Sequence, residues 1–242
     1  MDKEEIEVSS ISSLHEIFGK GLYVSEERDG FTFHSDVPLI YRGMENAEWE
    51  LKPTVGRLEN YSPRLEREML TLFKTGARPY LDKEPSNDWE WIAMAQHHGL
   101  PTRLLDWTAN PLVATYFAVE RNSGTDRVIY AVPVPSVLNI ASYTPFEYDK
   151  QDYVFLPEHV SPRIVAQGGY FTIHRKPNVA FNEWFRKIVV PDSLAVEIKL
   201  HLTRYGVNRA SLFPGLDGLA INITWDKTAD KMSALGQIQN SE

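Results

Sequence analysis

Residues 95–118 read AQHHGLPTRLLDWTANPLVATYFA, and the fold turns on how this run divides. Its first residues finish a helix that opens at Asn87/Asp88 and carries Trp89, Ile92, Ala95 and Gln96. Gly99 and Pro101 end that helix, because glycine takes the left-handed cap and proline cannot continue a helical ladder. Thr102–Trp107 is predicted to be extended. Asn110-Pro111 then opens a second helix. Asn caps the free backbone N–H groups, and proline sits in the first turn, where its missing N–H has no intrahelical partner to lose. Val113, Ala114 and Phe117 recur at the spacing of one inward face.

Reading toward the N-terminus, Ser62-Pro63 repeats the cap-plus-proline start. Leu65, Met69, Leu72 and Phe73 follow at helical spacing, and Gly76 can close the helix. Pro38–Arg42 reads as a short strand ending at Gly43, and Ser12–Lys20 as a first helix. Toward the C-terminus, Gly124 falls in a turn and the pattern becomes β. Arg127–Val134, Tyr153–Leu156, Arg163–His174 and Trp184–Val190 are the candidate strands. A last helix starts near Asp192/Ser193, with Leu194, Ile198, Leu202 and Tyr205 as its stripe and Gly206 as its cap. The chain beyond Trp225 reads as a polar tail covering 226–242. Helices mainly in the N-terminal half and a mixed or antiparallel sheet in the second half predict an α+β fold rather than a βαβ alternation.

The 242 residues are 43% apolar, 12% aromatic and 24% charged, which suits a single domain over 1–242 with a substantial core. No run approaches the ~20 apolar residues that span a bilayer, so no membrane partner is expected. MDKEEIEVSS is neither a signal nor a transit peptide. Cysteine is absent, which excludes disulfides, iron–sulfur ligation and thiol nucleophiles and makes a reducing cytoplasm the expected location. A net charge of −8 argues against a broad electrostatic grip on nucleic acid. One local exception runs from Val160 to Val190, where Arg163, Arg175, Lys176, Arg186 and Lys187 stand against Glu183. That segment is either a solvated surface or faces an anion. His97 and His98 are adjacent and so do not share a helix face, and no HExxH is present, so no metal is expected. No GxSxG nucleophile elbow occurs either.

Three segments carry a resemblance. They are YRGMENAEWELKPTVGR (Tyr41–Arg57), the run 95–118, and SPRIVAQGGYFTIH (Ser161–His174) with LFPGLDGL (Leu212–Leu219) downstream. Together they resemble the FRG-domain family, named for a Phe/Tyr-Arg-Gly tripeptide, over roughly residues 35–220. Tyr41 stands in the place of the Phe. The order of parts is also similar to ADP-ribosyltransferases of the Arg–Ser–Glu class. That likeness implies an ADP-ribosyltransferase-like fold with NAD as co-substrate. Arg42 would hold the NAD phosphates and Thr108 would support the nicotinamide. A nucleotide ligand, a protein or nucleic-acid acceptor, and a role as a toxin or antiviral effector follow by analogy. Whether a neutralising partner exists is left open. The likeness departs at the carboxylate expected before Leu156-Pro157, where the sequence is YDKQDY (Tyr148–Tyr153). Asp152 lies one position out of register, which in a strand turns it to the other face. Gln167 is the other candidate to face the ribose.

Cleaving the nicotinamide bond develops an oxocarbenium-like ribose, as in glycoside hydrolysis. It calls for a fixed cation on the pyrophosphate, for which Arg suits, and an acceptor beside the ribose. A glutamine would orient the ribose but stabilise the cation less than a carboxylate. Arg42, Gly43, Thr102, Arg103, Thr108 and Gln167 are expected to line one concave site, with Arg57, His98 and Gly168 as further nucleotide contacts. Each residue has a second reading. Arg42 can be a structural ion pair. Trp49 and Trp107 can be core aromatics, and His98 can satisfy helix carbonyls. Arg103 and Asp106, which bracket Leu104-Leu105, can form a buried pair. Gly43 and Gly168-Gly169 can mark bulges or a close backbone approach to a ligand. The non-enzymatic alternative is a phosphate- or RNA-ligand-binding module in which Arg42, Arg57, His98 and Arg163 hold phosphate.

Overall fold

The computed structural model describes residues 3–28, 31–134, 143–147, 153–155 and 166–228. Nine strands are described: β1 (Glu4–Glu7), β2 (Leu22–Arg28), β3 (Phe31–Val37), β4 (Leu39–Met44), β5 (Leu104–Thr108), β6 (Arg127–Pro133), β7 (Tyr153–Phe155), β8 (Gly169–Ile173) and β9 (Arg186–Val190). The α-helices are α1 (Ile11–Gly19), α2 (Pro63–Ala77), α3 (Asp88–His97), α4 (Pro111–Val119), α5 (Ala195–Arg204), α6 (Arg209–Leu212) and α7 (Leu216–Thr228). The fold is α+β. Seven strands form one mixed sheet in the order β1-β9-β6-β4-β5-β8-β7, and β2 and β3 form a separate two-stranded hairpin. Only the β1–β9 pair is parallel among the described pairings.

The expected caps set the helix starts. Ser62 accepts from the Leu65 N–H at 3.1 Å, Asn87 from the N–H groups of Trp89 and Glu90 at 3.0 Å each, and Asn110 from that of Leu112 at 2.9 Å. Gly99, with φ +87, stops α3. In β6 the period-2 alternation sends Ile129 and Ala131 into a core formed with α1, α4 and α5. Val128, Tyr130 and Val132 join Ile40, Trp107 and Phe181 in a separate core cluster. Both faces of β6 are therefore covered, and the strand is buried almost throughout. A third cluster packs α2 and α3 against Leu104, Phe171 and Ile173 of β5 and β8.

The division into a helical half and a β half does not hold. β4 and β5 come from the first half yet lie inside the sheet, and α5, α6 and α7 return at the end. Non-local pairing places them there, as in Arg42↔Tyr130 of β4 and β6. β1 has no apolar alternation to mark it. It pairs through charge: Glu4 meets Arg186 at 2.7 Å and Glu5 meets Lys187 at 2.8 Å. Arg186 is buried and also donates to the carbonyls of Ile17 and Lys20. These two cations of the basic segment are thus taken up by the chain's own carboxylates and serve the fold. α7 runs through Trp225 to Thr228, into the stretch expected as a tail, and residues 229–242 lie outside the described residues. Among the described residues no helix is long and apolar enough to cross a membrane.

Candidate functional site

β4 and β5 pair at Tyr41↔Thr108 alone, so the seam of the sheet opens beyond that point. Arg42 fills the opening. Its Nη1 donates to the main-chain carbonyl of Asp106 at 2.6 Å, a side-chain bond where a ladder N–H would otherwise serve. The opening leads into a cleft of about 390 Å³, within the size range of small-molecule sites. Arg42, Trp49, Arg57, Gln96 and Asp106 line it, with Phe117 and Arg121 at the end of α4 closing one side.

The polar groups form a chain. The Thr102 hydroxyl donates to Gln96 Oε1. Gln96 Nε2 donates to Asp106 Oδ2 at 2.9 Å and to the Leu104 carbonyl at 3.3 Å. The same Oδ2 lies 3.6 Å from Arg42 Nη1. Burial lowers the pKa of Arg42, the Asp106 carboxylate opposes that shift, and the nearby Arg57 charge adds to it. Arg42 Nε is buried without a hydrogen-bond partner. Arg57 is held in a 3-10 turn, Val55–Arg57, by the carbonyls of Lys52 at 3.1 Å and Glu50 at 3.4 Å. Two guanidiniums therefore face one cleft, an arrangement that favours an anion between them. Trp49, 47% exposed, presents an open ring to the same space.

The family model of the FRG domain matches residues 37–127. The chain carries an FRG domain. No curated protein and no solved structure matches the chain. The matched stretch begins just before β4 and ends at the start of β6, so it contains Arg42, Arg57, Gln96 and Asp106.

The expected site residues, of which Gln167 and Gly168 lie beyond the matched stretch, separate. Arg42, Gly43, Arg57, Thr108 and Gln167 all border the cleft. Gly43, however, answers to packing. A Cβ there would stand 1.8 Å from the Ala114 carbonyl oxygen and 2.8 Å from the Ala118 nitrogen, so the glycine lets α4 lie directly on β4. The close approach is to a helix, not to a ligand. The buried Thr108 hydroxyl donates to the Gln167 carbonyl at 2.5 Å and accepts from the Asn110 N–H at 3.0 Å. It ties the end of β5 to the turn before β8. Gly168, with φ +56, makes that turn beside Thr108. The Gln167 amide donates to the Leu212 carbonyl at 3.1 Å.

Thr102 and Arg103 do not border the cleft. Thr102 acts on it through Gln96. Arg103 turns the other way and meets Glu66 with both prongs, at 2.9 and 2.7 Å, beneath the ring of Phe146. The Arg103–Asp106 pair does not form: Arg103 belongs to Glu66 and Asp106 to the cleft. His98 is exposed. Its backbone N–H caps α3 on the Met94 carbonyl at 3.1 Å, and its ring lies near Phe73, while His97 borders the cleft. Of the two tryptophans, Trp107 is a core residue bonded to Thr172 at 2.8 Å, and Trp49 is not. Asp152, Arg163 and Leu156-Pro157 lie outside the described residues. Among the described residues no group of His, Asp or Glu is arranged to hold a metal ion.

Gln96 was not expected as a cleft residue, and Asp106 was expected either as the partner of Arg103 or as a ligand contact. A signal for Asp106 was present in LLDWT (Leu104–Thr108), where a lone acid interrupts an apolar strand and is its single exposed position.

Proposed function

We propose that the cleft binds NAD or a related nucleotide, and that the domain has an ADP-ribosyltransferase-like fold and uses this ligand as co-substrate. The reaction would modify a protein or nucleic-acid acceptor or hydrolyse NAD, in keeping with a toxin or antiviral effector. The observation that carries the reading is the convergence of Arg42 and Arg57 beside the open ring of Trp49. A pyrophosphate takes two planar cations well, because guanidinium forks match its oxygens pairwise. An exposed indole adds a stacking surface for an adenine or nicotinamide ring. Burial at the seam leaves Arg42 poorly hydrated, so an incoming anion displaces little water from it.

A second reading is a non-enzymatic module for phosphate or an RNA ligand. It is favoured by the Thr108 hydroxyl and the Gln167 amide N–H, which are both taken up by the chain's own carbonyls. One experiment separates the two. The purified protein is incubated in a cell lysate with NAD labelled in the adenylate, and free nicotinamide is read together with label in protein, RNA and DNA. Nicotinamide release, with or without transferred label, supports the enzyme. Saturable nucleotide binding without release supports the module. Absence of both overturns the nucleotide reading.

A further inference from the structure

We infer that Asp106 is the catalytic carboxylate of the cleft, an inference that rests on the NAD reading above. Three acids border this space, and two face cations other than Arg42 and Arg57. Glu120 pairs with Arg209 and accepts from Tyr116, which joins α4 to α6. Glu45 faces Arg121 at 3.6 Å. Asp106 differs. It is 58% exposed, and its Oδ2 takes the Gln96 amide at 2.9 Å and stands 3.6 Å from Arg42. Its Oδ1 has no partner among the described residues and stands ready for a ligand. Its strand flanks are buried, with Leu105 at 2% exposure and Trp107 at 3%, so the backbone beneath the carboxylate is fixed. A charged acceptor on a rigid strand, oriented by a half-buried amide, is a preorganised site for a developing positive charge.

The step balances as follows. The bond between the ribose C1′ and the nicotinamide nitrogen breaks, and its electron pair goes to that nitrogen, which becomes neutral. The positive charge passes to the ribose, where Asp106 stabilises it. The oxygen or nitrogen of water or of an acceptor group then forms the new bond to C1′, and the proton it loses passes to Asp106 and on to solvent. Arg42 holds the diphosphate throughout.

The test is Asp106→Asn. Asparagine has the same shape, its Oδ1 still accepts from Gln96, and the main-chain carbonyl at 106 still holds Arg42, so the fold contacts stay while the ligand-facing oxygen becomes an uncharged NH2 donor. NAD binding is measured by calorimetry, nicotinamide release by chromatography, and folding by thermal melting. Expected is a variant that melts and binds as the wild type does, with release slower by at least about 100-fold. Asp106→Glu, which keeps the charge, should recover part of the rate. Release unchanged in Asp106→Asn overturns the inference and leaves the NAD reading standing. Loss of binding together with release also overturns it, because Asp106 would then only be holding Arg42. A wild-type protein that does not release nicotinamide overturns the enzymatic reading and this inference with it.

Discussion

Two arginine–carboxylate pairs meet the same short segment, one just before β5 and one within it. Arg103 and Glu66 are 5% and 3% exposed and joined by both prongs. Arg42 and Asp106 are 22% and 58% exposed and share one side-chain approach at 3.6 Å, while the firm bond of Arg42 goes to a main-chain oxygen. The first pair is closed: every strong contact is made within the chain, and it locks α2 to the start of β5. The second is open: each member keeps a polar atom unused, Nε on Arg42 and Oδ1 on Asp106. Both join an arginine to a carboxylate. Completeness of partners separates a pair that holds the fold from one that can receive a ligand.

The contrast can be broken by substitution. Arg103→Ala strands the Glu66 carboxylate without its partner and should cost about 3–5 kcal/mol of stability, read from urea denaturation. Arg42→Lys keeps the charge but loses the planar fork. It should weaken nucleotide binding by about 1.5–3 kcal/mol in calorimetry, with the melting temperature nearly unchanged. Equal falls in melting temperature for the two variants would show that both pairs are structural. Thr108→Val leaves the Gln167 carbonyl and the Asn110 N–H without their bonds and should cost about 1–3 kcal/mol of stability. Nucleotide affinity of the folded variant should stay at the wild-type value, and a selective loss of affinity would restore a ligand role to that hydroxyl. The smallest effect is expected at a third pair, Arg64–Glu68, which is as short as 2.7 Å but 88% and 54% exposed. Arg64→Ala should change stability by about 0.5 kcal/mol or less, since water and salt screen such a pair. A larger loss would mean that distance, rather than enclosure, ranks these interactions.

Much of the local structure was legible. Ser62-Pro63, Asn87 and Asn110-Pro111 open helices where expected, because a cap bonds to N–H groups two or three residues away and the information is local. β1 was hidden, because a strand that pairs through Glu4 and Glu5 resembles a solvated acidic terminus until β9 is beside it. α7 was hidden for the converse reason: Leu219, Ile221 and Ile223 are apolar yet exposed, so no single buried stripe announces the helix. At the cleft, Arg42 and Arg57 were legible from the Tyr41–Arg57 segment. The reading of Trp49 as core was not met, since the lone indole gives no sign of whether a neighbouring element covers it.

The sequence alone determined the helix caps and the apolar periods of the central strands, which rest on residues close together in the chain, and it carries the match to the FRG domain over residues 37–127. The tertiary structure alone decided which charges are shared. Arg42 meets the Asp106 carbonyl across 64 positions of sequence and Arg103 meets Glu66 across 37. Those partnerships depend on strand order, on the open seam between β4 and β5, and on α2 packing beneath the start of β5. Local propensity carries none of that information, because an arginine has the same conformational preferences whether its carboxylate lies across a buried interface or at the mouth of a cleft.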